Sequence, residues 1–489
     1  MAIYIDRNEV PDAENIPPQV MEYVVNKHIQ QVGRFEKLHN YYLAKNKVEM
    51  TVENAVPVTA SYPKYIVDVI LGYYLGDPVK YDTTEEDGEV DISGGNIEAS
   101  VKNGRVVRHK WKEPEADITP VLKAYDNQTI SECDSKIGTH LGIYGEAYEL
   151  EYASEDGEPK TTVCDPRTAF MVRDTTVDHN KLFFVTYERR EPVSGLPYYY
   201  AYVYTDKTVK EYRTSGLATA DFGMIAESEQ PHFFGEVPAV EYQNNFERTG
   251  DFEQVISLID AYNELMSDRC TDKSQFVDSI LAIYGMGIDK DSLTDLEKYR
   301  MLDNLPIEAR IEYVQKAFDE NSVHVLAQDL VTEIHKQTMT VDMTDEQFAG
   351  NSSGQALKLK LMTMNMLVKN KIRNFEKGLR KRFEMYNRWL EMKRLMGYVP
   401  KSTVDPIFTV AMPINEAEIV GIVKTLEGIV DQKTLLGLLW FVRDPEEVMQ
   451  KVAEEKAEAQ RQYMDTFGIT AQRNENVGTD GEDYGQDEE

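Results

Sequence analysis

The sequence predicts an α+β protein built from several domains. Three observations carry that reading. Apolar residues recur at helical spacing over the first 140 residues and again beyond 250. Between about 145 and 242 the period changes to two. Two long helical stretches, 251–276 and 319–340, then bracket a short module at 279–314. At 489 residues the chain can bury a large core and divide into two to four domains.

Taken in order, residues 17–46 read as a helix through Val20, Val24, Ile29 and Val32. A second helix is entered at Pro63, runs from Tyr62 to Leu75, and stops at Gly76-Asp77-Pro78. Residues 82–97 form a polar loop. Helical spacing returns over 118–143 through Leu122, Ile130, Ile137 and Leu141. Strands at 147–152 and 160–163 flank Asp156-Gly157, a hairpin signal. Strands at 182–188 and 198–204 flank Ser194-Gly195. In the latter, Tyr198, Tyr200, Tyr202 and Tyr204 share one face of a pleated sheet, where ordinary packing is expected rather than base stacking.

After an extended entry at 238–245, the helix at 251–276 shows an apolar stripe of Phe252, Val255, Ile256, Ile259 and Met266. An acidic stripe of Glu253, Asp260, Glu264, Asp268 and Asp272 runs along another face. Short strands at 280–287 and 307–314 bracket a small helix at 292–301. The helix at 319–340 places Val323, Leu326, Leu330, Val331 and Ile334 on one side. An acidic loop, Asp342-Met343-Thr344-Asp345-Glu346-Gln347-Phe348, follows. Ser352 and Gln355 form a capping box for a helix from 353 to about 396. Straight, that helix would be about 65 Å long, so a kink is expected near Gly378. A strand at 407–411, a helical unit at 413–467 and a disordered acidic tail complete the chain.

The net charge is −32 at pH 7, which argues against the whole surface gripping nucleic acid. A surface past which DNA slides should not hold it. Cys133, Cys164 and Cys270 fall in no metal-ligand spacing and are expected as buried, reduced thiols made in a cytoplasm. The first residues, Met1 to Arg7, do not read as a secretory signal. The apolar run at 435–442 is too short to span a bilayer, so no membrane partner is expected.

No enzyme signature stands out. There is no GxxxxGK[ST] phosphate loop, no HExxH, no GxSxG and no zinc spacing. Asp342, Asp345 and Glu346 lack a companion His or Lys motif. They read as a solvated polar loop rather than a cation site. No catalytic residue, metal or cofactor is therefore expected. Twelve Lys or Arg against three Glu lie between 358 and 394, and Lys369, Arg373, Lys377, Arg380 and Lys381 make up the basic face. With so acidic a chain, pairing with acidic neighbours, including those of adjacent subunits, is favoured over a positive ring around DNA. The stripe of Glu253, Asp260, Glu264 and Asp268 reads as a solvated outer face or as the lining of a tunnel.

The order of these parts resembles the portal proteins of long-tailed bacteriophages of Gram-positive hosts. Tyr62-Pro63-Lys64-Tyr65-Ile66-Val67-Asp68 leads to Gly76-Asp77-Pro78-Val79. Gly145-Glu146-Ala147-Tyr148 opens the sheet. Gly250-Asp251-Phe252-Glu253 and Ile259-Asp260-Ala261-Tyr262-Asn263 match the entry to a first stem helix. Phe348 and Ser353-Gly354-Gln355-Ala356-Leu357 match the end of a tunnel loop and the start of a long helix. Pro413-Ile414-Asn415 and Asp444-Pro445-Glu446-Glu447 also fit. The similarity covers about residues 15–465, and the ordered set carries it rather than any single motif.

The resemblance implies a portal fold. Its wing is 1–250 with the long helix and strand at 353–412, and its two-helix stem is 251–278 and 315–340. The clip is 279–314, the tunnel loop 341–352 and the crown 413–467, followed by a disordered acidic tail at 468–489. It implies a homo-oligomeric ring, a dodecamer in the virion, at one capsid vertex and assembled in the bacterial host cytoplasm. Double-stranded DNA would pass through without sequence specificity, facing Asp342, Met343, Thr344, Asp345, Glu346, Gln347, Phe348 and Asn351. Partners implied are the terminase large subunit, which hydrolyses ATP, the head–tail connector or adaptor, and the major capsid and scaffolding proteins. The rival readings are a metal-dependent nuclease using Asp342, Asp345 and Glu346, and a non-viral oligomeric scaffold. The helix at 353–396 lacks sustained a/d heptads, which argues against a coiled-coil adaptor.

Overall fold

The computed structural model describes residues 3–10, 15–49, 55–83, 99–102, 105–108, 117–216, 223–224, 228–276, 280–284, 310–314, 320–342, 359–411 and 421–466, the last without 422, 438, 440, 441, 443 and 444. The chain falls into two compact units. Residues 1–351 with 357–412 form the first, and 352–356 with 413–489 form the second.

The first unit opens with β1 (Ile3–Ile5), α1 (Pro18–Tyr42) and α2 (Tyr62–Leu75). Both helices carry proline in the first turn, where a missing N–H costs nothing. β2 (Lys80–Thr83), β3 (Ala99–Lys102) and β4 (Arg105–Arg108) precede α3 (Thr119–Asn127) and α4 (Ile130–Tyr144). The helical stretch expected over 118–143 is two helices. Thr129 adopts the left-handed conformation, φ 55°, and breaks the ladder between them.

The β-rich part follows as β5 (Glu146–Ala153), β6 (Pro159–Cys164), β7 (Ala169–Asp174), β8 (Lys181–Arg190), β9 (Tyr198–Tyr204), β10 (Thr208–Thr214), β11 (Gly223–Met224), β12 (Gln230–Pro231) and β13 (Ala239–Gln243). The hairpin turn between β5 and β6 uses Gly157 at φ 74°, as Asp156-Gly157 predicts. The larger sheet has the order β1-β7-β8-β9-β10-β11, with β12 also on β10. β1 joins β7 in parallel, a pairing with no local signal in the sequence. β13-β5-β6 form a second sheet.

A 3-10 turn (Glu253–Val255) leads into α5 (Ile256–Phe276). β14 (Ile280–Tyr284) pairs antiparallel with β15 (Arg310–Val314), so the two expected strands meet as a ladder. The helix expected at 292–301 lies outside the described residues. α6 (Glu320–Thr338), α7 (Met362–Met392) and β16 (Val404–Ile407) complete the first unit. In the second unit, α8 (Gln432–Gly437) packs on α9 (Pro445–Thr466). Asp431 caps α8 through the Thr434 amide at 2.9 Å. The capping box at Ser352 and the acidic tail lie outside the described residues.

Several expectations need correction. The strand placed at 407–411 lies earlier, at Val404–Ile407, and pairs with β2. Val404 and Pro406 alternate into the interior, while Ala411 only donates its N–H to the Tyr73 carbonyl at 2.9 Å. α7 is continuous through Gly378, the residue near which a kink is expected. A Cβ there would lie 2.1 Å from Tyr242 Cε1, so the glycine permits close approach to β13. The three cysteines are free but half-buried rather than fully enclosed. Of the expected apolar stripe on α6, Ile334 is buried, whereas Leu326 is 50% exposed and neighbouring Val325 is 55% exposed.

The core explains the positions of the helices. The first half of α1, through Val20, Met21, Val24 and Val25, covers the larger sheet at Phe170, Val172, Phe183, Val185, Ala201 and Val203. Its second half, through Phe35 and Leu38, joins α2, α4, the start of α5 and α7. On β9, Ala201 and Val203 face inward and the rings of Tyr200, Tyr202 and Tyr204 line the other face at centroid spacings of 5.1 and 6.4 Å. That is sheet packing, as the alternation predicts.

Candidate functional site

The loop that begins at residue 341 leaves α6 from a tightly bonded exit. Met339 is left-handed, φ 56°, a conformation that costs a side-chain-bearing residue about 1 kcal/mol. Thr340 N–H donates to the His335 carbonyl at 3.1 Å and Met339 N–H to the Lys336 carbonyl at 3.3 Å, which closes the last helical turn. Buried Thr338 and Thr340 join hydroxyls at 2.7 Å, and Tyr65 donates to the Val341 carbonyl at 3.1 Å. Asp342 then borders a cavity of about 300 Å³ with Tyr62, Tyr65, Tyr262 and His335. Burial lowers the His335 pKa, and the Asp342 charge partly restores it. Burial likewise raises Tyr62, with Tyr262 and Asp342 adding to the effect. The loop thus departs from a fixed point on α2, α5 and α6. Met343, Thr344, Asp345, Glu346, Gln347, Phe348 and Asn351 lie outside the described residues.

α5 is held by a polar stripe that the sequence reading missed. Asn263, Ser267 and Thr271 sit at i, i+4 and i+8 and are buried. They accept the N–H groups of Ala60 at 2.8 Å, Val58 at 2.8 Å and Val56 at 3.0 Å. Alternate residues of an extended segment advance about 6.6 Å and four helical residues about 6.0 Å, so the two ladders stay in step over three bonds. The four acids weighed as a channel lining, Glu253, Asp260, Glu264 and Asp268, part company. Glu253 grips Arg34 of α1 through two bonds, at 2.7 and 2.5 Å. Asp260 accepts from the Tyr41 hydroxyl at 2.8 Å yet stays exposed. Glu264 and Asp268 are exposed.

The basic face of α7 divides in the same way. Lys369, Arg373 and Lys377 are exposed. Arg380 pairs with Asp405, and Lys381 pairs with Glu236 at 2.7 Å and Glu384 at 2.9 Å. Arg373 and Lys377 border a cleft of about 420 Å³ with Asn244, Asn245, Gln337 and Met339.

Two cations that matter most were not singled out. Arg382 is fully buried and makes a bidentate pair with Glu149, 2.7 and 2.6 Å, and a bond to Asp134 at 2.7 Å. Burial would raise the Glu149 pKa, but the Arg382 charge overcomes it and holds that carboxylate ionised. Burial and then the Glu149 charge push the Glu151 pKa well up beside the ion pair. Lys371 is buried against Asp251 at 2.6 Å. A signal existed: Met364, Val368, Phe375, Leu379 and Trp389 mark one helical face, and Lys371 and Arg382 fall in its phase. A cation in an apolar phase needs a buried partner.

Against this geometry, comparison with known proteins decides the identity. The pattern described as "Phage portal protein, SPP1 Gp6-like" matches residues 21–462. The chain belongs to this family. It is 22% identical over 472 residues to the portal protein of Bacillus phage SPP1, covering 88% of this chain and 94% of that protein. It is 24% identical over 284 residues to the portal protein of Clostridium phage phiCD119, covering 55% and 60%. Loosely similar solved chains come from the virion of a native gene transfer agent particle and the neck of an empty one. The first has TM-score 0.42 and 10% identity over 83% of this chain and 92% of that one. The second has TM-score 0.39 and 11% identity over 79% and 88%.

As a phage portal protein, the chain is a structural component of a virion rather than a member of an enzyme family. Among the described residues no three His, Cys, Asp or Glu cluster to hold a metal ion. No helix among them is long and apolar enough to cross a membrane.

Proposed function

We propose that this family member works as one subunit of a closed ring, twelve in the virion, at a single capsid vertex, assembled in the host cytoplasm. Double-stranded DNA enters and leaves through the hole without being read. In this reading α5 and α6 form the stem within 251–278 and 315–340, and 279–314, with the β14–β15 ladder, forms the clip. The clip docks first the terminase large subunit and later the head–tail connector. Residues 1–250 and 353–412 build the wing, which meets the major capsid and scaffolding proteins, and 413–467 the crown.

The observation that carries this reading is the fixed exit at Thr338 to Asp342. A segment with three carboxylates and no Lys or Arg, residues 341–352, departs from the junction of α2, α5 and α6. A short acidic loop on a stiff base can touch DNA repeatedly without capturing phosphate, because capture rests on cations that release counterions. The exposed Val325 and Leu326 on α6 also suit a chain that buries more surface in an assembly.

Substitution of Asp345 by Lys, or of Gln347 by Ala, is expected to alter genome packaging while rings still form. Packaged DNA per particle is the readout. Normal packaging in every loop variant would remove the loop from the mechanism. Divalent-cation-dependent DNA cleavage by the purified protein would instead support a nuclease.

A further inference from the structure

We infer that neighbouring copies of this chain join through a charged helix seam. Asp260, Glu264 and Asp268 on α5 of one copy meet Lys369, Arg373 and Lys377 on α7 of the next. The inference rests on the ring reading and supplies residues for it.

The two triplets match in pitch. Each runs i, i+4, i+8. At 1.5 Å per residue each spans about 12 Å, with successive charges about 6 Å apart. All six side chains are exposed. Among the described residues none of them forms an ion pair; Asp260 accepts only from Tyr41, and Lys377 faces Asn374 at 3.4 Å. The other cations along these helices are used within the chain. Arg269 and Lys273 pair with Glu320, Lys371 with Asp251, Arg380 with Asp405, Arg382 with Glu149, and Arg388 with Glu236. Among the described residues of α5 and α7, the other cations are thus paired within the chain, while these two rows form no ion pair.

The rows border different parts of the subunit. Asp260 lies against Tyr41 on α1, whereas Arg373 and Lys377 face the turn at 244–250 and the end of α6. Two unlike, complementary patches at separate places on one chain make a head-to-tail contact, which closes into a ring when the rotation fits. A second copy is the partner that is always present at equal number and carries the opposite charge at the same spacing. Exposed pairs are individually weak, so the row sets register and on-rate more than total affinity.

The test uses full-length protein and native mass measurement across protein and salt concentration. The triple reversals D260K/E264K/D268K and K369E/R373E/K377E are made separately, with circular dichroism confirming each fold. Each alone is expected to shift the ring-assembly midpoint by at least about tenfold, as the loss of three exposed pairs implies. An equimolar mixture is expected to regain rings with the two variants alternating, since each altered row then meets the opposite altered row. The milder D260N/E264Q/D268N should keep the fold and flatten the salt dependence of assembly. Wild-type assembly by both reversals, or a mixture that restores nothing, overturns the seam. Reversals that assemble normally but alter DNA passage would place the acidic row in the lumen instead. A wild-type protein that forms no ring would fail the portal reading itself.

Discussion

The enclosed and the solvent faces of α7 handle positive charge in opposite ways, Lys371 and Arg382 lying on the first and Lys369, Arg373 and Lys377 on the second. From 378 to 390 nearly every side chain is enclosed, and Arg382 sits at 0% exposure between Glu149 and Asp134. From 362 to 377 one face is enclosed and the other, with Lys369, Arg373 and Lys377, stands in solvent. The same residue types thus do two jobs, and the helical phase decides which. A buried cation locks α7 to α4 and β5, because removing it would strand carboxylates in a low-dielectric interior. An exposed cation costs the fold little and is available to a partner.

The sharpest break of that contrast is Arg382→Leu against Arg373→Leu. The first leaves the buried Glu149 and Asp134 without their cation and is expected to cost roughly 3–5 kcal/mol in thermal or denaturant unfolding. The second is expected to stay within about 0.5 kcal/mol. Similar losses in both would erase the distinction.

A second test uses His28, which is 1% exposed, with Nε2–H donating to the Pro166 carbonyl at 2.9 Å and Nδ1 facing the Tyr187 hydroxyl at 2.8 Å. Burial lowers its pKa from 6.5 to about 4. The unfolded chain therefore binds this proton more readily. Stability is complete above pH 6.5 and is lost as pH falls from 6.5 towards 4, by roughly 2 kcal/mol at pH 5. His28→Gln should flatten the stability profile in that window. An unchanged slope would show that other groups set it.

A smaller effect than the first two is expected for Ser267→Ala, which strands the Val58 N–H and removes one rung of the α5 ladder, about 1 kcal/mol. Unfolding by denaturant reads it. A loss above about 3 kcal/mol would mean that the rung acts as part of the core.

Local signals were legible in the sequence. The bounds of α2 follow from Pro63 and Gly76-Asp77-Pro78, and the β5–β6 turn from Asp156-Gly157. Partners distant in sequence were not. Glu253 reads as one acid of a stripe, yet its cation is Arg34 on α1. The parallel β1–β7 pairing and the antiparallel β2–β16 pairing join segments far apart along the chain, and no periodicity within either strand names its mate. Thr129 splits a continuous apolar pattern through backbone conformation alone. The family was readable from the order of many weak matches because the portal arrangement constrains succession more than any one motif.

The most direct test is electron microscopy of the purified full-length protein, with a label at Asp342. The account predicts an annulus of about a dozen copies with the label on the lumen. Particles of one or two copies under every assembly condition, or a label on the outer rim, would contradict it.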